Sequence, residues 1–244
     1  MMNLIVLSQI SIYKDMQKYC MLNKASIHQI MAVKILPIKY DIIKIIDILN
    51  DKVNVIFQSK NAINHSFDIH QKIKNNNKIK LYCLGKYSAE KIKKIFSFEA
   101  IHPSKNYSSE KLLDLIAEKS LVKSKFLIIK GEDGRAYLEE KIKERGHEVL
   151  VIDVYKRKPE DLSSLKYLIK EDINNYFIIS SKTALENLVS ELKLIKSKNK
   201  NILVIPNMRL VEGIGMENIN DTLVINNNEE APEYIRIIKE HNNG

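Results

Sequence analysis

Val55-Ile56-Phe57-Gln58-Ser59-Lys60-Asn61-Ala62 and Phe177-Ile178-Ile179-Ser180-Ser181-Lys182-Thr183-Ala184 are two versions of one phrase. Ser59 and Ser181 stand 122 positions apart, half of the 244-residue chain. The correspondence continues downstream at nearly the same offset, where 79–85 and the helix-like stretch after it answer to 201–206 and its own following stretch. Self-similarity on this scale predicts two copies of one βα-rich unit. In each phrase an apolar run enters Ser-Lys-x-Ala and then helical spacing. A hydroxyl and free backbone N–H groups therefore stand at a helix start, a place suited to an anion and equally to ordinary N-capping.

Strand-like runs of apolar, often β-branched residues recur at 4–7, 31–36, 53–57, 79–84, 126–129, 149–154, 176–179, 202–205 and 222–225. Helical spacing fills most of the intervals. Ile42, Ile45, Ile46 and Leu49 share a face, as do Leu112, Leu113 and Ile116, and Leu185, Leu188, Val189 and Leu192. Strands alternating with single helices predict parallel sheets covered on both faces, with right-handed crossovers. Two further stretches, 34–40 and 151–159, are extended and punctuated by Pro37 and Pro159, and proline disfavours helix just before it. If both pass between the copies, the domains are discontinuous. The expected fold class is thus α/β, with two similar domains, each a parallel sheet flanked by helices, joined by a two-stranded linker. Residues 1–36 with 160–244 would form one domain, 40–153 the other, and about 34–40 and 152–159 the linkers.

At 45% apolar and 28% charged residues, the composition is that of a globular protein whose length suits two self-sufficient cores. No apolar run approaches the roughly 18–20 residues a membrane span needs, and run 4–7 lacks the flanks of a signal peptide. Cys20 and Cys83 are far apart without C-x-x-C spacing, which points to neither a disulfide framework nor a zinc site and to a reduced, cytoplasmic setting. The net charge of +9 favours polyanionic partners in principle. Ile, Lys and Asn are abundant throughout, however, while Trp is absent, and a coding bias would produce the same excess of lysine.

Open α/β sheets bind ligands beyond the carboxyl ends of their strands, so the turns there carry the functional information. Four of them hold small polar residues: Gln58-Ser59, Gly85-Lys86-Tyr87-Ser88, Gly131-Glu132-Asp133-Gly134-Arg135 and Ser180-Ser181. Pro206-Asn207-Met208-Arg209 fits less well. There is no G-x-G-x-x-G, and Gly131 to Arg135 lacks the lysine and hydroxyl of a P-loop, so nucleotide chemistry is disfavoured. The six histidines are scattered, no carboxylate set has metal-ligand spacing, and no G-x-S-x-G elbow is present. Ser59–Lys60 and Ser181–Lys182 are adjacent on their helices and diverge, which argues against a Ser–Lys catalytic pair. Basic residues are spread rather than clustered with aromatics, against nucleic acid. A cofactor-free ligand site is what these exclusions leave.

Lys130-Gly131-Glu132-Asp133-Gly134-Arg135-Ala136-Tyr137-Leu138, then Arg145-Gly146-His147-Glu148-Val149 and Val154-Tyr155-Lys156-Arg157, read as strand, glycine turn, helix, glycine-ended helix and strand. This series resembles the uroporphyrinogen-III synthase family, with its G-x-x-G-R-like turn, R-G-x-x-V break and V-Y-x-R linker. Phe57 to Ile63 is similar to the family's F-T-S-x-x-A-V turn, Leu84 to Ala89 to its V-G-x-x-T-A turn, and Tyr107-Ser108-Ser109-Glu110 to its Y-S-S-E-x-L element. The departures are Gln58 where the family has Thr, Ser8-Gln9 where it has a T-R-P-like turn, and 206–210, which follow its last turn loosely.

The resemblance implies that hydroxymethylbilane, a linear tetrapyrrole with eight carboxylates, is dehydrated and cyclised with inversion of its terminal ring to uroporphyrinogen III, with no metal or organic cofactor. It implies Tyr155 as the group assisting departure of the hydroxyl. Ser59, Ser88 and Ser181 become candidate carboxylate binders, with Lys60, Lys86 and Lys182 adding attraction and Arg135 as a further substrate contact. Local roles stand beside these: N-capping for the serines, packing for Tyr155, a local ion pair for Arg135. The expected partners are the substrate and, transiently, the enzyme that supplies it, with no nucleic acid and no membrane. A cytoplasmic monomer that opens and closes about its hinge is the accompanying expectation. The alternatives are a non-catalytic two-domain binding protein for an anionic small molecule and a basic RNA-associated protein.

Overall fold

The computed structural model describes residues 2–8, 13–23, 25–105, 107–119, 123–195, 199–225 and 231–243. In chain order the elements are β1 (Met2–Val6), α1 (Tyr13–Leu22), β2 (Ser26–Gln29), β3 (Val33–Pro37), α2 (Ile42–Leu49), β4 (Val53–Phe57), α3 (Lys60–Asn64) and α4 (His70–Asn75). β5 (Lys80–Cys83), α5 (Lys86–Phe96), α6 (Ser109–Lys119), β6 (Lys125–Gly131), α7 (Tyr137–Glu144) and β7 (Glu148–Pro159) follow. β8 (Asn174–Ile178), α8 (Lys182–Leu194), β9 (Lys200–Ile205), β10 (Asp221–Val224) and α9 (Ala231–Asn243) complete the series.

Two units result, one from Met1–Lys34 with Lys158–Gly244, the other from Ile35–Arg157. Each holds a five-stranded sheet, ordered β10-β9-β8-β1-β2 in the first and β3-β7-β6-β4-β5 in the second. The α/β class with helix-covered, largely parallel sheets is as the sequence predicts: β1, β2, β8, β9 and β10 pair in parallel, as do β4 to β7.

Burial on both faces explains why the strands read as continuous apolar runs. Along β4, Val55 and Phe57 face a core shared with α2, α3, α4 and α5, while Ile56 faces one shared with α6 and α7. The second copy repeats the alternation. Phe177 and Ile179 join the α8 side, Tyr176 and Ile178 the side of α1 and α9. The internal offset thus preserves side-chain direction as well as element order, the outcome expected of a period-2 strand copied whole.

Three expectations shift. The run at 31–36 forms β3 two residues later, with Met31 exposed. β2, Ser26-Ile27-His28-Gln29, has a single apolar residue and no apolar signature, because it is an edge strand paired to β1 alone. Runs 149–154 and 151–159 are one twelve-residue strand, β7, not a strand followed by a separate connection.

Candidate active site

In the unit 35–157, the carboxyl ends of β4, β5 and β6 lie beside one another in the sheet, and the turns that follow them hold most of the sequence-derived candidates. The glycine turn after β6 has the closest fastening. Gly134 donates its backbone N–H to the Gly131 carbonyl at 2.8 Å, and Glu132 donates to the carbonyl of Tyr155 at 2.9 Å. Lys130, 8% exposed, lies 2.9 Å from Asp153 as an ion pair whose angle is poor for a hydrogen bond, and its ammonium reaches the carbonyls of Gly131 and Gly134 at 3.4 and 3.3 Å. Gln58, where the family has Thr, contributes a marginal 3.5 Å bond to the Arg135 carbonyl.

Register decides where Tyr155 points. Lys130 pairs with Asp153, but Gly131 pairs with Tyr155, so β7 carries one extra residue there. Such a bulge re-aims the side chain that follows it, and the packing shows the effect: Val149 and Val151 face one side of the sheet and Leu150 and Ile152 the other, but the consecutive Val154 and Tyr155 both join the latter core. The phenol ring then lies against Gly131. A Cβ on that glycine would sit 2.6 Å from the ring Cζ and 2.9 Å from the hydroxyl. The ring of His65 lies 5.9 Å away.

The Tyr155 hydroxyl is 3.0 Å from Ser59 Oγ and accepts from Arg157 Nη2 at 3.2 Å. Ser59 is the N-cap of α3, accepting from the Ala62 N–H at 3.0 Å. α3 is only five residues long, so its dipole adds little for an anion. Lys60 lies over the Tyr87 ring at 4.3 Å, which brings the starts of α3 and α5 together. Lys86 opens α5 after Gly85, and Ser88, in the same first turn, is buried.

Arg135 pairs with Glu110 at 3.0 Å and leans over Tyr137. Burial opposes charge on Glu110, but hydrogen bonds from its own backbone N–H, from Arg135 and from Ser108, with the guanidinium charge, overcome it and hold the carboxyl down at about 2. A depressed carboxyl stabilises the fold above its unfolded value of about 4.3, and that contribution disappears as pH falls toward the folded value. Glu110→Gln should therefore lower Tm near neutrality, with the gap from wild type narrowing between about pH 5 and pH 3. Melting curves with a pH-independent gap would refute the assignment.

Unit 1–34 with 158–244 holds the other candidates. Ser181 is the N-cap of α8, accepting from the Ala184 N–H at 3.4 Å, and Lys182 donates to the Glu212 carbonyl at 3.0 Å. Ser8 and Ser180 stand 3.3 Å apart, and Gln29 donates to the Ser8 carbonyl at 2.9 Å. Gln9 lies outside the described residues. Sequence reasoning gave no site role to Arg157, Asp133 or Ser8. The V-Y-x-R spacing was the available signal for Arg157, because alternate strand residues share a face.

The fold defines a two-unit α/β protein with its candidate groups gathered on the turns at the carboxyl ends of the strands. The family model "Uroporphyrinogen-III synthase HemD" matches residues 32–206, and the chain belongs to that family. The match stops short of the loosely fitting segment after Pro206 and begins after the Ser8 turn. Among curated proteins none matches. Of solved structures, the uroporphyrinogen-III synthetase of Helicobacter pylori is similar at 14% identity, covering 99% of this chain and 100% of that one with a TM-score of 0.61. A mutant uroporphyrinogen III synthase of Thermus thermophilus is similar at 9% identity, covering 98% and 99% with a TM-score of 0.59. At such identities the likeness speaks for the fold. The family match supports the cyclising lyase and not the binding-protein alternative. Among the described residues no helix is long and apolar enough to cross a membrane.

Proposed function

We propose that the chain converts hydroxymethylbilane to uroporphyrinogen III with Tyr155 as the acid. The phenol gives its proton to the departing hydroxyl, which leaves as water. The resulting azafulvenium cation is attacked by the substituted carbon of the terminal ring, and the spiro intermediate fragments and recloses with that ring inverted. The proton lost as the closed ring regains aromaticity goes back to the phenolate, so that water is the net product besides uroporphyrinogen III. Protein control is mainly conformational, since one closure geometry must lie nearer attack than the one giving the symmetric isomer. The observation that carries this reading is the Tyr155 hydroxyl held between Ser59 and Arg157 at the carboxyl end of a parallel sheet.

Ser59, Ser88 and Ser181, with Lys60, Lys86 and Lys182, are read as carboxylate binders, in keeping with the eight carboxylates of the substrate; Ser59 and Ser181 are N-caps as well. Arg135 is read as a propionate contact that exchanges Glu110 for substrate. The protein is read as a cytoplasmic, cofactor-independent monomer of two domains, meeting transiently the enzyme that supplies its unstable substrate. The test generates hydroxymethylbilane in situ, adds the protein, oxidises the products and separates the isomers. A shift from isomer I to isomer III is expected; persistence of isomer I with folded protein would return the binding-protein alternative.

A further inference from the structure

We propose that Arg157 is the positioning residue of the Tyr155 phenol, turning its proton outward and offsetting the charge left behind, an inference that rests on Tyr155 being the acid. Tyr155 and Arg157 are alternate residues of β7, so both side chains leave the same face of the strand. A guanidinium only donates, so in the 3.2 Å contact the phenol oxygen must accept. Ser59 Oγ accepts from the Ala62 N–H and keeps one proton and one lone pair, so either hydroxyl can donate across the 3.0 Å contact; in the proposed arrangement Ser59 donates. In that arrangement two donors meet the phenol oxygen, and its proton is turned to a third group.

Asp133, from the glycine turn, pairs with the other guanidinium nitrogen, and the Arg157 Cζ lies 5.2 Å from the centre of the Tyr155 ring. The arginine is thereby fixed at both ends. Burial works against its charge, but the Tyr155 oxygen and the Asp133 contact outweigh this and raise its pKa, so it stays cationic. A fixed cation beside an oxygen that loses a proton stabilises the anion formed, and more strongly where water is excluded. Of the other titratable groups, His65 lies against the phenol ring and Asp133 behind the guanidinium.

Arg157→Gln and Arg157→Lys, each with and without Tyr155→Phe, test the inference in the coupled isomer assay. Arg157→Gln should lower turnover by about 10- to 100-fold with little change in KM, because the phenol loses the donor that orients it and the cation that offsets the developing charge. Arg157→Lys, which keeps the charge and loses the fork, should recover part of the rate. In the Tyr155→Phe background, Arg157→Gln should cost less than about twofold. An equal loss in both backgrounds, or a loss in Arg157→Gln that appears in KM and not in turnover, overturns the role of Arg157 alone. Wild-type turnover in Tyr155→Phe overturns the acid, and the Arg157 inference with it.

Discussion

Gly131→Ala is expected to reduce isomer III formation by about a hundredfold in a protein that still folds. The methyl group would arrive 2.6 Å from Cζ and 2.7 Å from Cε2 of Tyr155, nearer than any real contact, so the ring must give way. Tyr155 is 2% exposed and its backbone carbonyl is tied to Glu132, so the displacement falls on the side chain and carries the hydroxyl off Ser59 and Arg157. Overpacking of this kind costs about 1–3 kcal/mol, against a stability of about 5–15 kcal/mol for an ordinary domain. Misplacement of a reacting group by about an ångström is enough for two orders of magnitude in rate. Gly85→Ala is the graded control: its Cβ would meet the Tyr107 ring at 3.3 Å, a contact relieved by a few tenths of an ångström, and it should leave turnover within about threefold. Turnover assays beside melting curves separate the two effects. Wild-type turnover in Gly131→Ala would show that the ring's seat against this glycine is irrelevant to the chemistry.

The fold was legible where strands are buried on both faces. Val55-Ile56-Phe57 and Phe177-Ile178-Ile179 carry their apolar signal on every residue because a helix layer covers each side, and their recurrence exposed the duplication. The same logic hid β2. With only Ile27 apolar and one neighbour strand, Ser26-Ile27-His28-Gln29 has the composition of a loop, and only its register with 3–6 of β1 makes it a strand. A hidden edge of this kind is common in open sheets, where the outermost strand is half solvated.

Within the site, residue types were more legible than geometry. Ser59 and Ser181 could be placed at helix starts from spacing alone, and both are caps. The bulge opposite Gly131 could not be foreseen, because a parallel register slip leaves no periodic mark in a strand that is apolar anyway. Without the bulge, the need for glycine at 131 and the sharing of the Tyr155 hydroxyl by Ser59 and Arg157 have no visible cause. Gly146 was readable by a different route. Its φ of +81° ends α7 in the left-handed region, which explains the R-G-x-x-V break on backbone grounds with no ligand involved.

Tyr155→Phe should lower turnover by about 10²–10³-fold, the range a positioned general acid supplies, while substrate affinity stays within about threefold. The substitution removes one oxygen and keeps the ring, so the seat against Gly131 and the contact with His65 persist. What is lost is the proton donor and the partner of Ser59 and Arg157, at a stability cost of about 1 kcal/mol. That asymmetry between rate and stability is the diagnostic. A tyrosine that merely packs would lose little of either when changed to phenylalanine, and a tyrosine that merely binds would raise KM and leave turnover alone. Single-turnover formation of isomer III, at protein in excess over hydroxymethylbilane, isolates the step from product release. Adding Gly131→Ala to Tyr155→Phe should then cost almost nothing more, because the displaced group no longer carries the proton. A further hundredfold loss in the double variant would mean that Gly131 acts on the substrate's own geometry and not through the Tyr155 hydroxyl.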